Sequence, residues 1–168
     1  MRYFLIGFMG AGKSEIGKKL SIILQLKHID LDQYIEEAEK KKIYTIFHQD
    51  GEKSFRELEK KYLLEIIKED NILISTGGGT PVFNDLIDYM NKCGTTIYIR
   101  CPEMILYNRL KSLKKMRPLI SSLSNISLKN YIEKTLNLRD PYYKKSKYTI
   151  NNDGEMEGTL DQIIKKLR

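Results

Sequence analysis

One short motif constrains this chain more than any other feature. Residues 7–14 read Gly-Phe-Met-Gly-Ala-Gly-Lys-Ser and directly follow the apolar run Tyr3–Ile6. This spacing fits G-x-x-x-x-G-K-[ST], a loop between a strand and a helix that wraps nucleotide phosphates with its backbone N–H groups. After the loop, apolar residues keep helical spacing. The motif therefore predicts a strand, a phosphate-binding loop and a helix, in that order.

Several residues of the motif have a defined task. The glycines let the chain bend with its amides pointing inward, and the following helix directs its positive N-terminal end at the anion. We expect Lys13 to reach the β- and γ-phosphates and Ser14 to ligate Mg²⁺. The residues of this stretch that we expect to contact the nucleotide are Gly10, Ala11, Gly12, Lys13, Ser14 and Glu15.

Apolar runs alternate with helical patterns along the rest of the chain. Strands are predicted at Tyr3–Ile6, Lys27–Asp30, Ile72–Ser75, Thr95–Ile99 and Tyr148–Ile150. Helices are predicted from the loop to about Gln25 and at Leu31–Lys41, Phe55–Lys68 and Leu160–Leu167. Such alternation implies a parallel sheet covered on both faces. The sequence thus predicts an α/β fold of three layers, α/β/α, with a central five-stranded parallel sheet in one domain spanning residues 1–168.

The net charge of +7 is concentrated in one segment of the chain. From Arg109 to Lys147 there are 11 Lys and Arg residues against 2 Asp and Glu, so the rest of the chain is slightly acidic. A confined basic segment suits closure over a polyanionic substrate, and a solvated Lys-rich surface is the alternative. No nucleic-acid-binding motif is visible. We therefore expect no nucleic-acid partner.

We expect a monomer, and other features indicate a cytoplasmic protein without a membrane partner. No apolar run approaches the roughly 18 residues that span a bilayer, and the first apolar residues lead straight into the glycine loop rather than into a signal-peptide cleavage site. Cys93 and Cys101 match neither a C-x-x-C nor a zinc pattern, which indicates two unpaired thiols in a reducing compartment.

The second and third predicted strands end in residues suited to a ligand, which in such sheets binds at the carboxyl ends of the strands. Of Asp30 and Asp32, one can help to hold Mg²⁺ through water while the other accepts a substrate hydroxyl. Alternatively, Asp32 caps a helix that begins at Gln33. The triplet Gly77–Gly79 indicates either a tight turn or close approach of a ligand. Since the third strand lacks the usual terminal Asp of such sites, Asp30 is the better candidate near the metal.

Three arginines are candidates for binding anions. Arg56 lies at the predicted start of a helix and Arg139 at the end of another. If they converge, their forked guanidinium groups would select a small carboxylic acid; isolated exposed arginines are the alternative. Arg117 precedes Pro118 within the basic segment, which suits an arginine brought onto the transferring phosphoryl group by a closing lid.

Together these residues resemble the shikimate kinase family. The likeness runs almost from end to end, and the order and spacing of its motifs are highly specific. The matching segments are Leu5–Ser14, Asp30-x-Asp32, Ile46-Phe47, Gly51-Glu52, Phe55-Arg56, Gly77–Gly79, Arg117-Pro118-Leu119 and Arg139-x-x-x-Tyr143.

The resemblance implies a P-loop kinase that uses ATP and Mg²⁺ to phosphorylate the 3-hydroxyl of shikimate, giving 3-phosphoshikimate for aromatic amino-acid biosynthesis. It implies catalytic roles for Lys13, Asp32 and Arg117, with Lys13 and Arg117 facing the ATP phosphates. Ser14 would ligate the metal and Asp30 would act in its outer shell. The residues implied to hold shikimate are Asp32, Arg56, Gly78, Gly79 and Arg139. Residues of about 33–63 correspond to the family's substrate-binding region, and those of about 111–124 to its lid.

Two departures from the family pattern leave alternatives open. Glu15 replaces a small hydroxyl residue beside the α-phosphate, so we expect its side chain to point to solvent. The adenine contact has no clear match near Asn151-Asn152-Asp153 and stays unassigned. One rival is another small P-loop kinase, of the gluconate or nucleoside-monophosphate type. A second is a nucleotide-binding protein without kinase activity. Arg56 and Arg139 with Asp32 favour a hydroxylated carboxylic acid as the acceptor.

Overall fold

Five parallel strands form the centre of the molecule. The computed structural model describes residues 1–114 and 117–168. The strands are β1 (Arg2–Ile6), β2 (Lys27–Asp30), β3 (Ile72–Ser75), β4 (Thr95–Arg100) and β5 (Tyr148–Asn151), and they pair in the order β2-β3-β1-β4-β5. All five predicted strands are therefore present, each within one residue of its predicted bounds.

Seven helices surround this sheet in the described ranges. They are α1 (Lys13–Leu24), α2 (Leu31–Glu39), α3 (Ile43–Ile66), α4 (Leu86–Cys93), α5 (Glu103–Leu113), α6 (Asn125–Tyr143) and α7 (Met156–Leu167). A short 3₁₀ turn, Phe83–Asp85, precedes α4. Among the described residues, no helix is both long enough and apolar enough to cross a membrane. The predicted three-layer α/β/α arrangement is confirmed.

Two helices differ from the sequence-based prediction in a way that moves site residues. Helix α3 already begins at Ile43 and is kinked at Gly51, where φ is 81°. Arg56 consequently lies in the interior of α3 rather than at its start. Helix α6 continues through Pro141 to Tyr143, so Arg139 lies one turn before its end. Both arginines are thereby mounted on regular helix.

The core explains why the central strands are almost wholly apolar. Phe4, Leu5 and Ile6 of β1 are fully buried, as are Ile72–Ile74 of β3. A strand covered by helices on both faces has no solvent side, and its sequence is therefore a continuous apolar run rather than an alternating one.

The topology places a crevice at the carboxyl ends of β1 and β3. The connection from β1 to β2 and the connection from β3 to β4 run in opposite directions along the sheet. Crossovers between parallel strands are right-handed, so α1 and α4 cover opposite faces of the sheet. The crevice therefore opens between β1 and β3. The register sets Ser75 level with both Leu5 and Asp30. Residues that follow β1, β2 and β3 therefore meet at one edge.

Candidate active site

The phosphate loop connects β1 to α1, as the motif predicts. Helix α1 begins at Lys13, and Gly12 precedes it with a φ of 89°. The buried Lys13 ammonium donates hydrogen bonds to the carbonyl oxygens of Gly7 (2.9 Å) and Phe8 (2.8 Å). Burial lowers the pKa of Lys13 to about 8, although Asp32 opposes this shift. A cation and a helix N-terminus thus lie together, as phosphate binding requires.

Two side chains from distant elements brace this loop. Arg109 of α5 donates from Nη1 to the Gly10 carbonyl oxygen (2.9 Å). The buried Asn152, which follows β5, donates from Nδ2 to the Ala11 carbonyl oxygen (2.9 Å). Both residues were missed by the sequence reasoning. Asn152 could have been found, since the carboxyl end of β5 lies at the same edge of the sheet as the loop.

Ser14 and Asp30 meet beside the loop. The Ser14 hydroxyl donates to Asp30 Oδ2, while Asp30 Oδ1 accepts from the backbone N–H groups of Asp32 (3.1 Å) and Gln33 (3.3 Å). Asp30 is thus the N-cap of α2, and the alternative in which Asp32 caps a helix from Gln33 is wrong. A hydroxyl and a carboxylate are oxygen ligands of the kind that Mg²⁺ takes together with substrate phosphates.

A buried hydrogen-bond chain holds the start of α1 against the sheet. Ser75, the last residue of β3, donates from Oγ to the Lys13 carbonyl oxygen (3.1 Å). Its Oγ lies 2.9 Å from His28 Nε2. The Ser75 hydroxyl has one proton and donates it to the Lys13 carbonyl oxygen. The His28 ring must therefore be the donor to Ser75 Oγ and carries its proton on Nε2. Strands β2 and β3 therefore fix the backbone of the loop lysine.

A cavity opens next to the phosphate loop, and all five predicted acceptor-site residues line it. Its walls come from the loop after β1, the start of α2, the α3 helix, the glycine triplet, the segment after α5 and the end of α6. The lining residues are Met9, Asp32, Ile43, Phe47, Phe55, Arg56, Glu59, Gly77, Gly78, Gly79, Arg117, Pro118, Leu119 and Arg139. The structure therefore brings the three predicted arginines and Asp32 into a single cavity.

Asp32 is an acidic group of this cavity whose pKa is raised. The residue is half-buried, and its Oδ1 is buried without a hydrogen-bond partner among the described residues. Burial, followed by the charges of Glu59 and Asp30, raises the pKa of Asp32 to about 7, and the nearby Arg117 and Lys13 act in the opposite direction. An unpaired carboxylate with a pKa near neutrality can accept a hydrogen bond, or a proton, from a bound hydroxyl.

Arg56 is held by two carboxylates of its own helix. Its Nη1 donates to Glu59 Oε2 (2.5 Å) and its Nη2 to Glu52 Oε1 (3.0 Å). Glu59 is fully buried and also accepts a hydrogen bond from the Thr80 hydroxyl (2.5 Å). Burial disfavours the charged form, but the two glutamates outweigh it and raise the pKa of Arg56. The guanidinium is therefore permanently charged and firmly oriented.

The glycine triplet is required for space rather than for backbone conformation. A Cβ on Gly79 would clash with the Arg56 guanidinium, and one on Gly78 would lie 3.2 Å from both Arg139 Nη1 and the Met9 nitrogen. The Gly78 carbonyl oxygen accepts a hydrogen bond from the buried Tyr143 hydroxyl (2.6 Å). Side chains at the triplet would displace the arginines from the cavity.

Part of the cavity wall is apolar. The rings of Phe47 and Phe55 pack at a centroid distance of 4.7 Å and lie beside Ile43. Pro118 and Leu119 cover the same space from the segment after α5. A ligand here meets both hydrocarbon and charged groups, as is typical of sites for small polar ring compounds.

The remaining predicted residues are placed as follows. Glu15 lies in the first turn of α1 with its side chain exposed, as expected. The segment predicted as a lid contributes Arg117 to the cavity, while Lys115 and Met116 lie outside the described residues. The sequence reasoning gave no role to Glu59 or Glu52. Their spacing of three and four residues from Arg56 was the available signal, since such positions share one helix face.

Residues 9–168 match the sequence model of the family described as Shikimate kinase. A shikimate kinase of Phocaeicola vulgatus is 40% identical over 171 residues, which cover 99% of this chain and 98% of that protein. The crystal structure of a shikimate kinase from Bacteroides thetaiotaomicron superposes with a TM-score of 0.92 at 36% identity, covering 99% and 98% of the two chains. For one from Acinetobacter baumannii in complex with shikimate, the TM-score is 0.90 at 29% identity, with 99% and 91% covered. The predicted P-loop kinase fold is confirmed.

Proposed function

The chain belongs to the shikimate kinase family, whose reaction is the ATP-dependent phosphorylation of shikimate, and we propose that its cavity holds shikimate while residues 7–14 hold ATP. One observation carries this assignment of roles. Arg56, Arg139 and Asp32 line the same cavity, directly beside the phosphate loop. Two guanidinium groups and a carboxylate are the partners that a small hydroxy acid needs.

The acceptor is bound through opposite charges and close contact. Arg56 and Arg139 bind the shikimate carboxylate, and the ring packs between the bare backbone of Gly78 and Gly79 and the apolar wall of Phe47 and its neighbours. Asp32 then receives the ring hydroxyls. Because a carboxylate accepts hydrogen bonds but does not donate them, Asp32 aligns the 3-hydroxyl with its oxygen lone pair free for attack.

The donor is bound by the loop and by two cations. Backbone amides at the start of α1 surround the β-phosphate, and Lys13 exchanges its bonds to the Gly7 and Phe8 carbonyl oxygens for phosphate oxygens. Arg117 lines the cavity, and its charge acts on both Asp32 and Lys13. Phosphoryl transfer is limited by positioning and by charge on the transferring group, which these cations neutralise.

The proton and the metal have defined places in this assignment. As the 3-hydroxyl oxygen bonds to the γ-phosphorus and the bond to ADP breaks, the hydroxyl proton passes to Asp32, whose pKa of about 7 suits a late acceptor. Ser14 and Asp30 would hold Mg²⁺, which supplies neutralisation of phosphate charge. Arg117, Pro118 and Leu119 exclude water from the acceptor, which limits hydrolysis of ATP.

The setting that we propose is a cytoplasmic monomer acting on small molecules. Cys93 and Cys101 are unpaired, which agrees with a reducing compartment. We assign no nucleic-acid partner, because the basic segment is accounted for by two anionic substrates.

The test is a coupled assay for ADP release with ATP and Mg²⁺. We expect turnover that depends on shikimate, with 3-phosphoshikimate as the product by mass spectrometry. Gluconate and acceptor-free reactions are the controls, and equal ADP release in all three would refute the assignment. Arg139→Ala should weaken shikimate binding by at least about tenfold while nucleotide binding stays nearly intact, since a charge-assisted bidentate contact is lost.

A further inference from the structure

Two carboxylates on one guanidinium are more than charge balance requires. Glu59, on Nη1, is fully buried and is fixed by Thr80 as well as by Arg56. Glu52, on Nη2, differs in both respects. Its side chain is 51% exposed, and Arg56 is its one hydrogen-bond partner among the described residues. The outer carboxylate is therefore the one that can leave.

The position of Glu52 on Arg56 matters for any ligand acid. A guanidinium offers two edges to a bidentate carboxylate, one formed by Nε with Nη2 and one by Nη1 with Nη2. Both edges include Nη2, which already donates to Glu52. A substrate carboxylate that makes two hydrogen bonds to Arg56 must therefore share this nitrogen with Glu52 or replace it.

The surrounding charges favour replacement over sharing. Arg56 and Arg139 together with Glu52 and Glu59 form a group of net charge 0, which gives an approaching anion no net attraction. Arg139 makes no ion pair with a carboxylate among the described residues and supplies the second positive charge of the site. If Glu52 turns away into water, the two arginines and Glu59 carry a net charge of +1 and attract the acid.

An open cleft provides the room for this exchange. It is lined by Glu52, Lys53, Arg56, Gly79, Val82, Phe83 and Arg139, and it shares both arginines and Gly79 with the main cavity. Glu52 stands directly after the kink at Gly51, at the beginning of the second part of α3. Its side chain can rotate into the cleft without loss of any helical hydrogen bond made by its backbone.

We propose that Glu52 is an internal competitor that occupies Arg56 until the substrate carboxylate displaces it, and that it thereby lowers the affinity of the site for its acid substrate. This inference rests on the proposed function. An exposed ion pair of this kind shifts an equilibrium by about two- to fivefold. Glu52 therefore sets the working range of substrate concentration rather than the rate of phosphoryl transfer.

The decisive variant is Glu52→Gln, which keeps the size of the side chain and removes its charge. We expect KM for shikimate to fall by about two- to fivefold, with kcat and KM for ATP unchanged. The methyl ester of shikimate, which has no carboxylate to compete, should show the same KM with both proteins. Glu57→Gln, an exposed position of the same helix, is the matched control and should change none of these values.

Other results contradict the proposal. If Glu52 merely supports Arg56, Glu52→Gln will weaken acid and ester alike, and an unchanged KM for the acid excludes competition. Glu52→Asp retains the charge and should not bind shikimate more tightly than wild type. Calorimetric titration with shikimate separates the two levels of inference. A wild-type protein that neither binds nor phosphorylates shikimate refutes the proposed function; one that does both, without tighter binding by Glu52→Gln, refutes the role of Glu52 alone.

Discussion

At the scale of single residues, the site holds a carboxylate where the fold disfavours it. Burial disfavours the ionised form of Asp32 and raises the pKa of its carboxyl group. Its Oδ1 has no hydrogen-bond partner among the described residues. Groups of this kind are typical of active sites, because the vacant hydrogen-bonding capacity serves the ligand rather than the folded chain. Stability and function are therefore expected to oppose each other at this position.

Asp32→Asn should stabilise the protein at neutral and alkaline pH while abolishing turnover. A carboxyl group whose pKa is higher in the folded chain than in the unfolded chain destabilises the fold as pH rises. The penalty grows from about pH 4 to about pH 7 and is constant above that range. At pH 8 we expect the variant to gain at least about 1 kcal/mol in the free energy of unfolding, measured with urea.

The pH dependence supplies the control for this prediction. The difference between wild type and Asp32→Asn should shrink as pH falls and level off at about pH 3, where the carboxyl group is largely protonated in both states. Asp161→Asn makes the same chemical change at an exposed position and should alter stability by less than about 0.5 kcal/mol at any pH. If Asp32→Asn instead lowers stability at pH 8, other interactions in the folded protein offset the cost of burying the ionised carboxylate, and the prediction is wrong.

Tyr143→Phe should weaken the acceptor site without touching the nucleotide site. The buried hydroxyl, whose pKa is raised by burial to about 12, donates to the Gly78 carbonyl oxygen and so ties the glycine triplet to the helix that carries Arg139. Its loss leaves that carbonyl unsatisfied, at about 1–2 kcal/mol in stability. We expect KM for shikimate to rise severalfold and KM for ATP to stay constant in steady-state assays.

Tyr98→Phe is the matched control for this change. The Tyr98 ring packs against Tyr143 at 5.1 Å, and its hydroxyl donates to Asp140 Oδ1 (3.0 Å), outside the cavity. A comparable loss of stability with an unchanged KM for shikimate is the expected result. If both variants raise this KM equally, the effect comes from general loosening of α6 and not from the contact with Gly78.

At the scale of elements, the kink in α3 is the feature that places Arg56. Gly51 has a φ of 81°, and a Cβ built on it would meet nothing within 4 Å. Gly51→Ala therefore suffers only from backbone strain. We expect a loss of about 1–3 kcal/mol in the free energy of unfolding, measured by denaturant titration, because a φ of 81° with a ψ of 169° is a backbone conformation that residues with a Cβ hardly adopt.

Gly158→Ala provides the opposite case for comparison. This glycine lies within α7, its φ is not positive, and a Cβ there would also meet nothing within 4 Å. Alanine should stabilise the helix by about 0.5–1 kcal/mol. Two glycines in equally open surroundings thus give substitutions of opposite sign. Equal effects at both positions would mean that the kink relaxes to regular helix.

The kink also shows where the sequence stops predicting the fold. The strands were predicted because short apolar runs such as Ile72–Ser75, followed by turn residues, are typical of buried strands. The first part of α3 was missed because Gly51 interrupts the helical period, and the end of α6 was missed because Pro141 is typical of a helix end. Strand order was not predictable, since it depends on which runs pair in space.

The residues of the candidate site could be predicted where they belong to a short sequence motif or directly follow a predicted strand. Lys13, Ser14 and Asp30 follow from the motif and from the strand ends. Arg117 and Arg139 were candidates from their positions in the sequence, and the resemblance implied their roles. Their roles stay predictions. The braces Arg109 and Asn152 depend on side-chain direction across elements. No pattern within a single segment contains that information.

At the scale of the whole molecule, the charge is distributed unevenly along the chain. Eleven of its 29 Lys and Arg residues lie between Arg109 and Lys147, which includes α6. Arg139, near the end of α6, lines the cavity, while Lys129 and Lys134 are exposed on the same helix. At 1.5 Å per residue these lysines lie about 15 and about 8 Å from Arg139 along the helix axis. They are therefore within one or two Debye lengths of the site at physiological salt.

Reversing these two charges should slow the capture of anionic substrates without altering the reaction. For Lys129→Glu/Lys134→Glu we expect kcat to be unchanged, kcat/KM for ATP to fall by about two- to tenfold at low salt, and its dependence on KCl concentration to flatten, since steering acts on association. Lys165→Glu/Lys166→Glu on α7 makes the same change of net charge outside the basic segment. If both double variants lose kcat/KM for ATP equally, the net charge of the protein alone attracts the substrates. If only the α6 variant loses kcat/KM, the attraction depends on the position of these lysines on the helix that carries Arg139.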